Sequence, residues 1–280
     1  MSGMAQELGM AACEGRQDNK IVGLRIFATK NTEICIVWFE LEDQKWFPNV
    51  LREQQTAYIG WMVRNFGIYK GLDSIIASEV SKHAGTITDL GSGTGGPWKQ
   101  LAQLPLLRGA SIELTDLYPQ SQLDLPPNCS YYSKPLPALQ SLPHAKGLVT
   151  MFNAFHHFNV EERDQLIRNF TLNGRSFLAA EILGPTVPDF LRILVATTLG
   201  QLLFAPFIKP FSLQRLLFTY ILPINLITVT WDGLASVFRG ISGKEMEAMA
   251  AKARQLGASA KVLRLGTWYA PVRVLLVSPP

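Results

Sequence analysis

From residue 86 onward, short runs of β-branched and apolar residues alternate with stretches in which apolar positions recur every three or four residues. The runs 86–90, 111–115, 129–133, 147–151 and 176–183 read as five strands. The stretches 96–104, 159–172 and 246–256 read as helices. Asn159 with Glu162, and Ser242 with Glu245, have the spacing of a side chain that caps a helix start and a Glu three residues later that reaches back. Gly257 closes the last helix, and 261–268 and 272–277 then read as two strands joined through Tyr269, Ala270 and Pro271. Strands alternating with helices predict a doubly wound α/β fold, a mostly parallel seven-stranded sheet covered on both faces and closed by a C-terminal antiparallel hairpin.

The region before residue 86 has another rhythm. Residues 46–85 look helical, with Leu51, Tyr58, Met62 and Phe66 predicted to share one face, and Leu72, Ile75, Ile76 and Val80 another. Two β-prone runs, 22–27 and 34–39, predict a hairpin around Lys30, Asn31 and Thr32. Residues 1–20 are polar and aperiodic, the pattern of a disordered terminus. The predicted organisation is therefore that terminus, an N-terminal extension and helical cap over 21–85, and a sheet domain over 86–280.

Residues 184–240 fit no single crossover within that domain. They are rich in Leu, Phe, Ile and Pro, too apolar for a solvated loop. The segment has three readings: a lid over an apolar substrate, an element touching membrane lipid, or added core and dimer surface. Residues 187–208 are about long enough to cross a bilayer, but Asp189, Arg192, Gln201 and two prolines interrupt them, so a spanning helix is not expected. A lid lying against lipid, a peripheral membrane contact, is the expectation.

Composition changes this picture little. The chain has 280 residues, 48% hydrophobic and 17% charged, which suits one large domain with additions. Its net charge of +4 comes without Lys/Arg-rich runs interleaved with aromatics, so nucleic acid is not an expected partner. Cys13, Cys35 and Cys129 have neither disulfide nor metal-ligand spacing, so no metal site is expected and a reducing, cytoplasmic setting is. The first fifteen residues lack the charged-then-apolar order of a signal peptide.

Candidate chemistry begins at Asp89-Leu-Gly-Ser-Gly-Thr-Gly-Gly96, a turn between a predicted strand and a predicted helix. Gly91, Gly93 and Gly95 let backbone approach a ligand, and the helix start behind them presents unpaired N–H groups. Gly91, Gly93 and Gly96 also fit the G-x-G-x-x-G spacing of dinucleotide binders, a weak match by itself. Asp89 would repel a pyrophosphate and suits a cationic ligand. Asp116, at the end of the second strand, can accept bonds from two ribose hydroxyls.

In these segments, with Gly147-Leu-Val-Thr-Met-Phe-Asn-Ala-Phe-His-His-Phe158 and Phe177-Leu-Ala-Ala-Glu-Ile-Leu183, the chain resembles the class I (Rossmann-like) S-adenosylmethionine (SAM)-dependent methyltransferases. The resemblance covers about 86–280. It implies SAM as cofactor, with Asp89, Gly91, Ser92, Gly93 and Gly95 about the methionine and ribose. Asp116 and Leu117 would lie at the ribose, and Asn153 and Ala154 near the methyl group. One departure stands out: that family often carries an acid for the adenine amino group after its third strand, and Lys134-Pro-Leu-Pro-Ala138 has none.

His156 and His157 follow the fourth predicted strand, at the edge where ligands bind in such sheets. They are the candidate catalytic residues, since a hydroxyl acceptor must lose a proton and imidazole can take it. The competing reading has both capping the next helix. The expected function is methyl transfer by in-line displacement to oxygen, carbon or nitrogen of a small, largely hydrophobic acceptor. A SAM-binding regulatory or interaction protein without methyl transfer is the alternative, and an NAD(P)-dependent enzyme a third reading. The sequence does not name the acceptor or an oligomeric state.

Overall fold

The structure, a computed structural model, describes residues 25–28, 34–120 and 123–280. The disordered terminus expected at 1–20, and the turn at 30–32, lie outside the described residues. Seven strands form one sheet: β3 (Thr86–Leu90), β4 (Ser111–Thr115), β5 (Cys129–Tyr131), β6 (Leu148–Phe152), β7 (Ser176–Glu181), β8 (Ser259–Gly266) and β9 (Pro271–Ser278). A separate antiparallel pair, β1 (Arg25–Ala28) and β2 (Ile34–Val37), matches the expected hairpin. Across the sheet the order is β5-β4-β3-β6-β7-β9-β8. Neighbours from β5 to β7 run parallel, while β9 lies antiparallel between β7 and β8.

Alternation within strands explains the two covered faces. Leu148, Phe152, Leu178 and Ala180 join one buried cluster with Leu72, Ile76 and Trp98. Val149, Met151, Phe177 and Ala179 join the other, with Leu166, Phe170, Met246 and Met249. The first cluster is closed by α1 (Asn49–Asn65), α2 (Asp73–Val80) and α3 (Trp98–Leu101). The second is closed by α4 (Val160–Leu172) and α9 (Gly243–Gln255). Both predicted capping boxes form, Asn159 with Glu162 and Ser242 with Glu245.

Two local expectations are corrected. The helix predicted over 96–104 shrinks to α3, because Gly95 and Gly96 keep positive φ at its start and Pro105 bars helical geometry at Leu104. On α1 only Tyr58 of the expected apolar face is fully buried, with Leu51 and Met62 partly so and Phe66 exposed, while Arg52, Gln54 and Gln55 are buried beside it.

The segment 184–240 is built of helices joined by short breaks. A continuous helix, Val187–Phe207, contains α5 (Val187–Val195), a π-turn (Ala196–Gly200) and α6 (Gln201–Phe204). Then come α7 (Leu213–Leu216), a second π-turn (Leu217–Ile221) and the long α8 (Ile224–Arg239). Packing of α8 on α1 and on the stretch after β2 ties this segment to the N-terminal region. Trp38 stacks on Phe238 with ring centroids 4.7 Å apart, and Trp231 Nε1 donates to Phe39 O at 2.9 Å.

Candidate functional site

The glycine turn leaves the carboxyl end of β3 beside the ends of β4 and β6. Gly91 takes φ +71°, and a Cβ there would come within 3.0 Å of Ala154 Cβ, so backbone conformation and space both ask for glycine. The turn is held by carboxylates. Asp116 accepts from Gly93 N and Tyr118 N, each at 2.8 Å. Asp89 accepts from Ser92 Oγ and Thr150 Oγ1, each at 2.6 Å, and is sealed from solvent. Burial pushes the Asp89 carboxyl up to about 6, with the two hydroxyls pulling the other way. Asp116 is raised as well, again by burial, against the pull of its backbone partners.

A cavity of about 1120 Å³ opens over this turn. Its wall includes Gly91, Ser92, Gly93, Asp116, Leu117, Asn153, Ala154 and His157. Asp89, Gly95 and His156 lie behind the wall rather than on it. The opposite side comes from α1 and from the apolar segment, through residues such as Tyr58, Met62, Ile193, Ala196 and Val229. Asn153, at φ +50°, turns the chain out of β6, and its buried Oδ1 has no hydrogen-bond partner among the described residues.

The two histidines fall into different surroundings. His156 is buried; its Nδ1 lies 2.7 Å from Glu181 Oε2, while Glu181 Oε1 accepts from Phe155 N at 2.7 Å. Burial opposes the charge on His156, but Glu181, and then Glu40, overcome it and push the imidazole up to about 10. His156 has no place on the cavity wall, so an acceptor lying in the cavity does not meet it. His157 is the member of the pair on the cavity wall. Its Nδ1 lies 3.0 Å from Asp43 Oδ2 and its Nε2 3.1 Å from Glu40 Oε2. Burial opposes its charge too, and Glu40 and Asp43 raise its pKa.

Sequence reading missed the acids around this pair. Glu40, Glu42 and Asp43 follow the N-terminal hairpin, Glu181 ends β7, and Asp232 lies in α8. Asp232 accepts from Glu42 N at 3.0 Å and from Gln55 Nε2 at 2.6 Å, and also receives Leu41 N. Burial pushes Asp232 up to about 7. Arg239 completes the group, donating to His157 O at 2.6 Å and reaching Asp43 at 3.2 Å. The only sequence signal was the acidic run Glu40-Leu-Glu-Asp43, which nothing local ties to residues 156, 181 or 232.

One strand order decides the architecture: three parallel strands to one side of the switch at β3/β6, and an antiparallel last strand slotted between β7 and β8. That strand order is the one the resemblance to the class I methyltransferases implies. No family model matches the chain, and no curated protein matches it. Solved structures do. The methyltransferase domain of bacterial CtHen1 aligns at 14% identity over 74% of this chain and 96% of its own, with a TM-score of 0.43. PigF with SAH aligns at 18% identity over 85% and 63%, TM-score 0.44. Human N-acetylserotonin methyltransferase in complex with SAM aligns at 12% identity over 79% and 55%, TM-score 0.46. Activity therefore has to be read from the side chains around the cavity.

Proposed function

We propose that this protein is a SAM-dependent methyltransferase acting on a small, largely hydrophobic acceptor at a membrane surface. The observation that carries the reading is a single cavity with the glycine turn and Asp116 at one end and apolar helices with His157 at the other. Single-ligand pockets run to roughly 1,000 Å³. A cavity of about 1120 Å³ therefore suits a cofactor and an acceptor together. In this reading SAM lies along the turn, its ribose hydroxyls donating to Asp116 and its ammonium meeting the unpartnered Asn153 Oδ1. Bound there, SAM would supply an activated methyl group on the side of the cavity where His157 stands, and the protein's main contribution would be alignment of cofactor and acceptor. His157 meets the acceptor, and His156 behind it is a positioning residue.

The membrane part of the reading rests on how residues 187–227 divide. The polar side chains Asp189, Thr197, Gln201, Arg215, Thr219 and Asn225 are buried, and Arg192 is paired with Asp189. Outward stand Val187, Leu191, Val195, Leu199, Leu203, Phe207, Phe211, Leu213, Ile221 and Ile227, each more than half exposed. Lys209 is the one exposed charge among them. So extended an apolar face is rare on a soluble monomer, and lipid is the occupant that an almost uncharged face fits. Leu191, Val195, Leu199 and Leu203 belong both to this face and to the cavity wall. An apolar acceptor could thus pass from lipid to the site without crossing water.

Calorimetry tests the cofactor assignment. SAM and S-adenosylhomocysteine are expected to bind in the micromolar range, about −8 kcal/mol, and NADH not at all. Asp116→Ala removes two charge-assisted bonds and should weaken both by roughly ten- to a hundredfold. Tight NADH binding with none for SAM would end the reading.

A further inference from the structure

We infer that Glu40, His156 and His157 form a binding site for one divalent transition-metal ion such as zinc, at the inner end of the cavity. One ligand atom from each of the three lies within 4.8 Å of the others. His156 Nε2 is 3.4 Å from Glu40 Oε1, and His157 Nε2 is 3.1 Å from Glu40 Oε2. Neither approach has the geometry of a hydrogen bond. His156 Nε2 and Glu40 Oε2 have no hydrogen-bond partner among the described residues, though each residue is only 1% exposed. Buried polar atoms left unpaired side by side are costly, and native structures rarely keep them without a ligand. The spacing suits an ion: tetrahedral bonds of about 2.0–2.1 Å set ligand atoms roughly 3.3 Å apart.

The atoms behind the three ligands repeat a pattern of metal sites. A metal-bound histidine usually places its other ring nitrogen on a carboxylate, which fixes the tautomer and turns the free nitrogen to the ion. Here both do so, His156 Nδ1 on Glu181 and His157 Nδ1 on Asp43. Glu40 is steadied in turn by Ser236 Oγ, which donates to its Oε1 at 3.0 Å. Two imidazoles and a carboxylate with no thiolate suit a borderline cation rather than calcium or magnesium. His157, 21% exposed on the cavity side, leaves the remaining coordination position open towards the cavity. Cysteine spacing gave no sign of this site, because its ligands come from positions 40 and 156–157.

The inference is independent of methyl transfer, and its test uses untagged full-length protein stripped with a chelator. Titration with cobalt chloride is expected to give the visible absorption of a four- or five-coordinate cobalt ion at one equivalent per chain. Zinc sulfate should displace it one for one. Glu40→Gln and His156→Gln should each lose that band, and Glu181→Gln should weaken binding tenfold or more. Replacing the other two histidines, His83 and His144, should leave the titration unchanged. Wild-type protein that takes up no cobalt at micromolar concentration would overturn the inference, whatever the variants do. So would a thiolate charge-transfer band, or a titration unchanged without His156. Metal uptake without SAM binding would keep this site and remove the methyltransferase reading; SAM binding without metal uptake would do the reverse.

Discussion

Phe207→Glu, Leu213→Glu and Ile221→Glu together are expected to abolish co-flotation of this protein with phosphatidylcholine vesicles. These side chains are 65%, 75% and 71% exposed, so each still has most of its apolar surface to bury. Fully burying such a side chain is worth about 1.5–3 kcal/mol. The outstanding part comes to roughly 1 kcal/mol or more per residue. A carboxylate at each position adds about as much again in opposition, because interfacial helices hold their apolar face below the headgroups. The total, about 6 kcal/mol, lowers partitioning by roughly four orders of magnitude. None of the three lines the cavity, so SAM affinity should be unchanged and serves as the folding control. High salt should not release the wild-type protein, since the face carries almost no charge. If the wild-type protein ignores vesicles and the triple variant instead turns a dimer into a monomer, the face is a subunit interface.

Asp89→Asn is expected to stabilise the ligand-free protein above pH 6 and to weaken SAM binding. The Asp89 carboxyl titrates at about 6 in the folded chain, against about 3.9 in an unfolded one. A raised folded pKa means that the native state holds the proton more tightly. The associated stability is fully present below pH 4 and is lost as pH rises through 6. The loss is about two pKa units, or roughly 3 kcal/mol. Asparagine stays neutral, so the variant should lack this slope: equal stability to wild type near pH 4, and about 1–3 kcal/mol more at pH 7. Bound SAM reverses the balance, because its ammonium and sulfonium favour the ionised carboxylate. Wild-type affinity should therefore rise between pH 5 and 7, and that of the variant should not. Denaturant melts and calorimetry across this range would expose an error in either half; a variant less stable than wild type at pH 7 would show that the charged carboxylate is not the strained group described.

Both variants probe features that differ in how openly the sequence announces them. The sheet was legible because each strand is a short apolar run bounded by glycine or a capping residue, and such signals are local. The turn at Gly91 was legible for the same reason: Asp89, the glycines and Asp116 are set by strand ends. The polar part of the buried side of α1 was not legible, because Gln54 and Gln55 find partners far away in sequence. Arg52 reaches Glu42 O and Gln44 O, Gln54 accepts from Asn225, and Gln55 donates to Asp232. The helix Val187–Phe207 looked interrupted because Asp189, Arg192 and Gln201 were counted as breaks in its apolar surface. Folded, Asp189 lies inside between Arg192 and Arg273 and Gln201 is buried, so the outer face is more apolar than the composition suggests. The acids around His156 and His157 were illegible because each meets its partner only through tertiary contact.

That last property also sets an order of events during synthesis. Glu40 meets Ser236 across 196 positions, and Leu41 meets Asp232 across 191. At about 5–20 residues per second, the ribosome adds the intervening chain in roughly 10–40 s. For that interval the segment around Glu40 has emerged while its partner helix has not, and contacts so distant in sequence close late. The strands from β3 to β7 emerge meanwhile, with both clusters still waiting for α9 and β9. Chain termination between Phe207 and Asp232 would thus leave a nascent chain with its acids uncovered and its apolar helices exposed, a natural target for chaperones.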